Sequence, residues 1–364
     1  MNDIIEILDF SEKENKPGLF YCYLSVSSFV EQDIKSFQES FSVKLFPFQP
    51  SHKLLLPVFF IKQLLFLLWN SRSTSIFVCQ FAGYHSFLPV VISKILHKIS
   101  VIVVGGTDCV SMPSIGYGNL RKLPLRWFTL KSLKYTKHII SPSTSLIECD
   151  YTYSNNDFPN QGYRFFDKSI ITPVTVIFNG IDTNRFNPVP DSVRRKNTFL
   201  TVCTKIDNRN FYLKGIDLFI EMARHFPECE FTIIGRVTPG FYFSGSPNVT
   251  FIDYLSPDSL PSKMSEFTFY CQLSMSEGFG VALAEAMACG CIPIVSKVGI
   301  MDFIIGDSGF ILEKHDAGLL QSLFSKAIGA DIESLTKKAR NRVVELFNIQ
   351  IRKSALQRLI NDLI

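Results

Sequence analysis

The 364 residues are enough for two domains of ordinary size, each able to bury its own core. Lys+Arg 37 against Asp+Glu 33 leaves a formal charge of only +4, with no long basic run, which excludes a dedicated nucleic-acid binder. The nine cysteines are odd in number and lack Cys-x-x-Cys spacing, so they read as reduced thiols of a cytosolic compartment rather than a disulfide framework. Cys289-Gly-Cys291 has no companion His/Cys pair and reads as small core residues. The opening MNDIIEILDFSEKENK carries early acids and no apolar signal core, so no secretory leader is expected.

Along the chain, short apolar β runs alternate with helical patterns, the signal of parallel α/β units. In the first half the predicted strands are 19–26, 42–48, 75–79, 101–104, 138–140 and 174–178. Helices are predicted near 31–41, 57–69, 87–97 and 120–134. The segment LLLPVFFIKQLLFLLW (Leu54–Trp69) is apolar all round and shorter than the about 20 residues needed to span a bilayer. It reads either as a deeply buried helix or as one resting in a lipid interface, with Lys53, Lys62 and Arg72 near head groups. The strand at 101–104 ends in Gly105-Gly106-Thr107-Asp108, at a carboxyl strand end where open α/β sheets place their chemistry. Asp108 is a candidate for accepting a sugar hydroxyl, with loop capping as the alternative. His85 lies beyond another strand end, and a structural hydrogen-bonding role competes with a functional one. The polar, glycine-rich stretch 111–122 is long enough to close over an acceptor.

Gly, Asn and Pro cluster at 179–188 and predict the hinge between two doubly wound halves whose crevices face each other. Strands follow at 198–203, 230–234, 249–251, 268–273, 292–295 and 309–312, and residues 317–364 read as two helices. No G-x-G-x-x-G follows the first strand, which argues against a nicotinamide-dependent dehydrogenase.

The densest signal is SEGFGVALAEAMACGCIPIVSK (Ser276–Lys297). A strand, a turn at Gly278-Phe279-Gly280 and a helix opening at Val281 make an anion site, because first-turn N–H groups lack partners and the dipole favours negative charge. Glu277 precedes the helix and Glu285 lies inside it, roughly 10 Å further along. One carboxylate then reaches a sugar and the other a ribose, with a diphosphate between. Either glutamate alone would read as a helix-capping acid; the ordered combination is what points to a nucleotide sugar.

This pair of glutamates, followed by Ala-Met-Ala-x-Gly and x-Pro-x-Val, resembles the signature of the retaining GT-B glycosyltransferases. VIFNGIDTNRFNP (176–188), Lys214-Gly215-Ile216-Asp217, FTIIGR (231–236) and NVTFIDYLS (248–256) resemble further family segments, in order. The likeness is strong from about residue 170 to 310 and weaker before it. It implies two Rossmann-like domains facing a cleft: an acceptor-binding domain over 1–182, a nucleotide-sugar domain over 183–345, and a last helix, 346–364, crossing back onto the first. It implies that Lys214 contacts the donor diphosphate. Where the family carries Gly-Arg this chain has Thr204-Lys205, leaving Lys205 and Arg209 as alternatives for a second cation, the lysine lacking arginine's bidentate fork. The first strand-to-helix loop, with Ser27 and Ser28, lacks the Gly-Gly pair of many members, though hydroxyls and N–H groups there suit an acceptor.

The reaction implied is transfer of a hexose from a UDP- or GDP-linked donor to a hydroxyl of a glycan or lipid-linked acceptor, in surface polysaccharide or glycoconjugate assembly. Glu277, Lys214, Asp108 and His85 are the catalytic candidates. Lys205, Arg209, Lys214, Gly278, Phe279, Gly280, Val281 and Glu285 are the donor-side candidates, and Ser27, Ser28, Gly106, Thr107 and Asp108 the acceptor-side ones. No Asp-x-Asp occurs, so no metal or other cofactor is expected. The alternatives are a non-catalytic partner that binds nucleotide sugars and an epimerase of the same fold. The first is disfavoured by retention of Glu277, Glu285 and Lys214, the second by the lack of an added carboxylate and histidine set.

Overall fold

The computed structural model describes residues 16–189 and 194–364. The reading of the chain's opening therefore falls almost wholly outside the described residues. In the first half, β1 (Gly18–Tyr23), α1 (Ser28–Ser40), β2 (Ser42–Pro47), α2 (Leu56–Asn70), β3 (Ile76–Gln80), α3 (Tyr84–Ile95) and β4 (Ile99–Val103) alternate strictly. They are followed by α4 (Leu125–Tyr135), β5 (His138–Ser141), a two-residue ribbon of β6 (Cys149–Asp150) and β7 (Asn160–Gln161), the short α5 (Tyr163–Phe166), and β8 (Val174–Val176). Six of these strands form one sheet in the order β2-β1-β3-β4-β5-β8, every pairing parallel. Strands such as β3 and β4 are almost continuously apolar because helices cover both faces. On one face lie α2, α3 and α4, contributing Leu67, Val90 and Leu130 to a core with Phe20, Phe77 and Ile102. On the other lie α1 and the last helix of the chain, against Leu19, Tyr21 and Val101.

The second half runs β9 (Arg195–Ile206), α6 (Asn208–Leu213), α7 (Ile216–His225), β10 (Glu230–Val237), β11 (Val249–Ile252), α8 (Leu260–Ser265) and β12 (Phe267–Gln272). Then come α9 (Val281–Ala288), β13 (Ile292–Ser296), α10 (Met301–Ile305), β14 (Phe310–Leu312), α11 (Ala317–Ile328), α12 (Ile332–Leu346) and α13 (Ile349–Leu363). Its sheet, β11-β10-β9-β12-β13-β14, is also wholly parallel. Phe199 stands at its centre, stacked on Phe231, Phe269 and Phe324 with ring centroids 4.7 to 4.9 Å apart.

Residues 317–364 form three helices, not the two expected. Asp331 and Asn348 each cap a new helix by accepting a backbone N–H, at Ser334 and Gln350, so the chain turns twice where apolar periodicity reads as nearly continuous. The last of them, α13, does return to the first half. Its Arg352 forms a buried fork with Asp33 of α1 at 2.8 and 2.6 Å and also donates to the Ile177 and Phe178 carbonyls. Gly180 makes the passage possible: a Cβ there would sit 2.7 Å from the Ile349 Cα.

Candidate active site

The two sheets present their carboxyl ends to a shared cleft of about 320 Å³, lined from one side by Phe29, Gln80 and Gly105 and from the other by Thr204, Lys214 and Glu277. The loops touch at its floor. A Cβ on Gly278 would lie 2.1 Å from the Gly105 carbonyl oxygen, so only glycine lets the turn before α9 meet the loop after β4. Tyr151 adds a second link, its hydroxyl donating to the Met275 carbonyl at 3.0 Å.

Within the cleft, β12 and the loop after it set Glu277. Its Oε1 accepts from Gln272 Nε2 at 2.8 Å, from Ser274 Oγ at 2.8 Å and from Lys214 Nζ at 2.5 Å. Lys214 is placed from the opposite side by the turn between α6 and α7. Burial alone would lower the Lys214 amine, but the Glu277 carboxylate beside it outweighs this and holds its pKa above the ordinary lysine value. The pair is thus clamped, with the second oxygen of Glu277 free of protein donors among the described residues. Glu285 sits one turn beyond Val281 on the same side of α9. It is 8% exposed, accepts no protein hydrogen bond among the described residues, and is pushed up to about 7 by burial, with Arg185 pulling the other way. A buried carboxylate without donors is a group waiting for hydroxyls. Gly278, Phe279, Gly280 and Val281 all line the cleft.

Other predicted residues fall elsewhere. Asp108 does not face the cleft: its carboxylate accepts the N–H groups of Ala82, Gly105 and Gly106 at 2.9 to 3.0 Å, tying the loops after β3 and β4 together. It is a cap, and burial raises its pKa against those donors. His85 is likewise internal, its Nε2 2.7 Å from the Gln80 carbonyl oxygen, and burial pulls its pKa down to about 4, so it is neutral and structural. Lys205 is exposed and paired with Asp207 at 3.1 Å. Arg209 rides on α6 and lines a separate hollow with Ser114, Asn156 and Tyr212. Of the three cations predicted for the diphosphate, only Lys214 lines the cleft. Asp207 accounts for both: its carboxylate pairs with Lys205 at the end of β9 and caps α6 at the Asn210 N–H, the helix that carries Arg209.

On the first-domain side, Ser28 is exposed and the Ser27 Oγ is buried without a partner; Phe29 takes their place on the wall. Gly106 packs beside Gly278, and Thr107 Oγ1 lies 2.8 Å from the Tyr117 hydroxyl. Tyr117 stands close enough to Lys214 and Glu277 to feel both charges. The stretch 111–122 carrying it is pinned rather than loose: Gln161 holds both the N–H and carbonyl of Ser111, and Asp157 takes Ser114. Gln272, Ser274 and Tyr117 were not signalled by sequence, because no motif marks a side chain that matters only through the partner it meets in space.

Against known proteins, residues 207–342 match the family model described as glycosyl transferases group 1. This stretch is similar to the glycosyl transferases group 1 family. It contains Lys214, Glu277 and Glu285, so the clamped pair and the buried carboxylate all fall within the matched residues. The chain is 29% identical over 146 residues to the gpi3 subunit of the phosphatidylinositol N-acetylglucosaminyltransferase of Schizosaccharomyces pombe, covering 36% of this chain and 31% of that protein. It is 30% identical over 80 residues to O-antigen chain mannosyltransferase B of Escherichia coli, covering 21% of each. The match thus spans less than half the length of these curated relatives. Among solved structures, sucrose-phosphate synthase from Thermosynechococcus elongatus superposes with a TM-score of 0.71 at 16% identity, over 95% of this chain and 99% of that one. Anabaena HepE in complex with UDP superposes with a TM-score of 0.69 at 13% identity, over 95% and 100%. The architecture is therefore the GT-B fold, both sheets included.

Proposed function

We propose that the chain is a retaining hexosyltransferase that moves a sugar from a UDP- or GDP-linked donor to a hydroxyl of a glycan or lipid-linked acceptor. The observation that carries this reading is the clamped Lys214–Glu277 pair lining the cleft at the glycine turn that opens α9, with Glu285, one turn into that helix, buried and without a protein donor among the described residues. The donor diphosphate lies on the free N–H groups of that turn and against Lys214, the ribose hydroxyls donate to Glu285, and the sugar hydroxyls meet the open oxygen of Glu277. The acceptor hydroxyl attacks the anomeric carbon on the face from which the phosphate leaves. Its oxygen bonds to that carbon, the bond to the diphosphate breaks, and the hydroxyl proton passes to the departing phosphate oxygen. Lys214 and the helix N-terminus stabilise the charge that grows there, in a site held rigid before the reaction begins. We assign no metal to this chemistry, a reading checked by turnover in excess chelator.

The relatives support a nucleotide-sugar donor: HepE was solved with UDP, with UDP and glucose, and with UDP-glucose. All nine cysteines are free, which suits a reducing, cytoplasmic setting. The deciding experiment is thermal unfolding with UDP and with GDP. A ligand present at a hundred times its Kd stabilises by about 2.7 kcal/mol, so one of the two raises Tm clearly. If neither shifts Tm at millimolar concentration, the reading fails.

A further inference from the structure

The layer of α2, α3 and α4 has an outer surface unlike the rest of the molecule. The inner side of α2 packs on the sheet: Leu67 and Gln63 are buried, Phe66 lies against Phe20 and Phe46, and Phe59 against Phe48. Gln63 bolts it to α3 by donating to the His85 carbonyl at 2.8 Å. Its outer side is no less apolar. Val58, Ile61, Leu65, Leu68 and Trp69 form a stripe at helical spacing that faces solvent, Leu65 62% and Trp69 89% exposed. By length and composition the helical run Lys53–Ser73 could cross a membrane, yet its packing on the sheet keeps it lying along the domain surface. An aromatic bridge, Phe60 to Phe128 at 5.8 Å and Phe87 to Trp127 at 5.3 Å, carries the apolar surface onto α4 and the turn before it, where Trp127 is 44% and Leu123 74% exposed.

The charge around this surface is one-sided. Residues 41–147, which include α2 to α4, hold twelve lysines and arginines against one acid, Asp108, and that acid is buried; five of the twelve, Lys62, Lys94, Arg126, Lys131 and Lys134, stand on the three helices themselves. None of the twelve is in an ion pair among the described residues, whereas Glu31, Asp33 and Glu39 all lie on α1, on the opposite face of the sheet. Lys62 lies over the Phe59 ring and Lys94 and Lys131 over Tyr135, each with an apolar stem along apolar surface.

We propose that the α2–α4 layer is a docking surface for an anionic lipid bilayer, α2 lying in the interface with its outer stripe among acyl chains and the surrounding cations at the head groups. A protein partner would require acidic side chains matched to a fixed pattern; a fluid anionic surface satisfies cations scattered over three helices without a register. The helix α2 begins at the carboxyl end of β2, the end of the sheet that opens on the cleft, so a docked molecule holds the acceptor side of its cleft at lipid level. The inference rests on the proposed function only for that last step.

Flotation with vesicles of phosphatidylcholine alone and of phosphatidylcholine mixed with phosphatidylglycerol tests it on the full chain. At low salt the protein floats with the mixed vesicles, is released by high salt, and stays down with phosphatidylcholine alone. Lys62→Gln and Lys131→Gln each weaken binding about fivefold, and Leu65→Gln with Trp69→Gln abolishes it. Because Lys62, Leu65 and Trp69 are exposed and Lys131 is half-buried with no ion pair among the described residues, all variants keep the wild-type Tm and its shift with nucleotide. Wild-type protein left unfloated by mixed vesicles at low salt overturns the proposal, as does a dimer in light scattering that Leu65→Gln with Trp69→Gln converts to monomer without any flotation. Failure of the nucleotide shift alone, with flotation intact, removes the proposed function and leaves the docking surface standing.

Discussion

Glu285 concentrates the chemistry of the site in one titration. Burial without donors raises its carboxyl from 4.5 to about 7, so the folded protein holds a proton there that the unfolded chain releases. The sign follows: this group's contribution to stability is fully present below about pH 4.5 and is lost as pH rises through about 7. If, as proposed, ribose hydroxyls donate to the charged form, nucleoside diphosphate affinity falls as pH drops below 7, approaching tenfold per unit. In Glu285→Gln that contribution disappears. The variant also binds more weakly than wild type at pH 8, by tenfold or more, as expected for a charged hydrogen bond worth about 1.5–3 kcal/mol. Isothermal titration of both proteins across pH 5.5 to 8.5 separates this effect from the titration of the nucleotide phosphate, which both share; unchanged affinity in the variant removes Glu285 from the site. Lys214 and Glu277 divide differently. Lys214→Ala loses both nucleoside diphosphate affinity and turnover, because its charge meets phosphate before and during the reaction. Glu277→Ala loses turnover far more than affinity. Equal binding of free nucleoside diphosphate by Lys214→Ala and wild type contradicts the phosphate assignment.

At the scale of elements, the turn between β12 and α9 is tuned by contact with the other domain. Gly278 is in reach of the Gly105 carbonyl, so Gly278→Ala cannot close the cleft without moving backbone. The substitution leaves the second domain folded, since its cores lie elsewhere, and nucleotide still protects it from heat. Turnover falls by at least a hundredfold, because a displacement of about 1 Å at the reacting centre costs that much. A near-normal rate in Gly278→Ala rules out catalysis in the arrangement seen here. The same turn displays the limits of motif reading. The spacing of Glu277 and Glu285 was legible as a pattern, but the donors that orient Glu277 come from Gln272 and Ser274, on a strand end whose apolar alternation carries no chemical signal.

The whole molecule is held in register by α13. Arg352 and Asp33 are 3% and 1% exposed and meet as a two-pronged pair across the domains. Removing one partner strands the other charge in the core, so Arg352→Ala destabilises by about 3–5 kcal/mol, whereas Asp33→Leu with Arg352→Met is far milder. Urea denaturation of wild type and these two variants is the measurement; a double variant as unstable as Arg352→Ala contradicts the pairing. The domain arrangement also explains why α2 escapes burial. Helices α1 and α13 share the far face of the first sheet, and nothing described covers the near face beyond α2, α3 and α4.

Periodicity and local residue chemistry carried the parallel α/β units, because these depend on neighbours within one or two turns of chain. Tertiary structure decided everything that depends on distant backbone. Asp108 looks like a ligand in GGTD, but the Ala82 amide reached from another strand end makes it a cap. His85 is neutral because the fold leaves it no water. Lys205 and Arg209 are ordinary cleft cations by sequence, but Asp207 pairs with the one and caps the short helix that carries the other. The apolar run 54–69 has the same hydrophobicity whether buried or bare. Only the packing of its inner side on the sheet, with no further layer outside it, leaves Leu65 and Trp69 facing solvent.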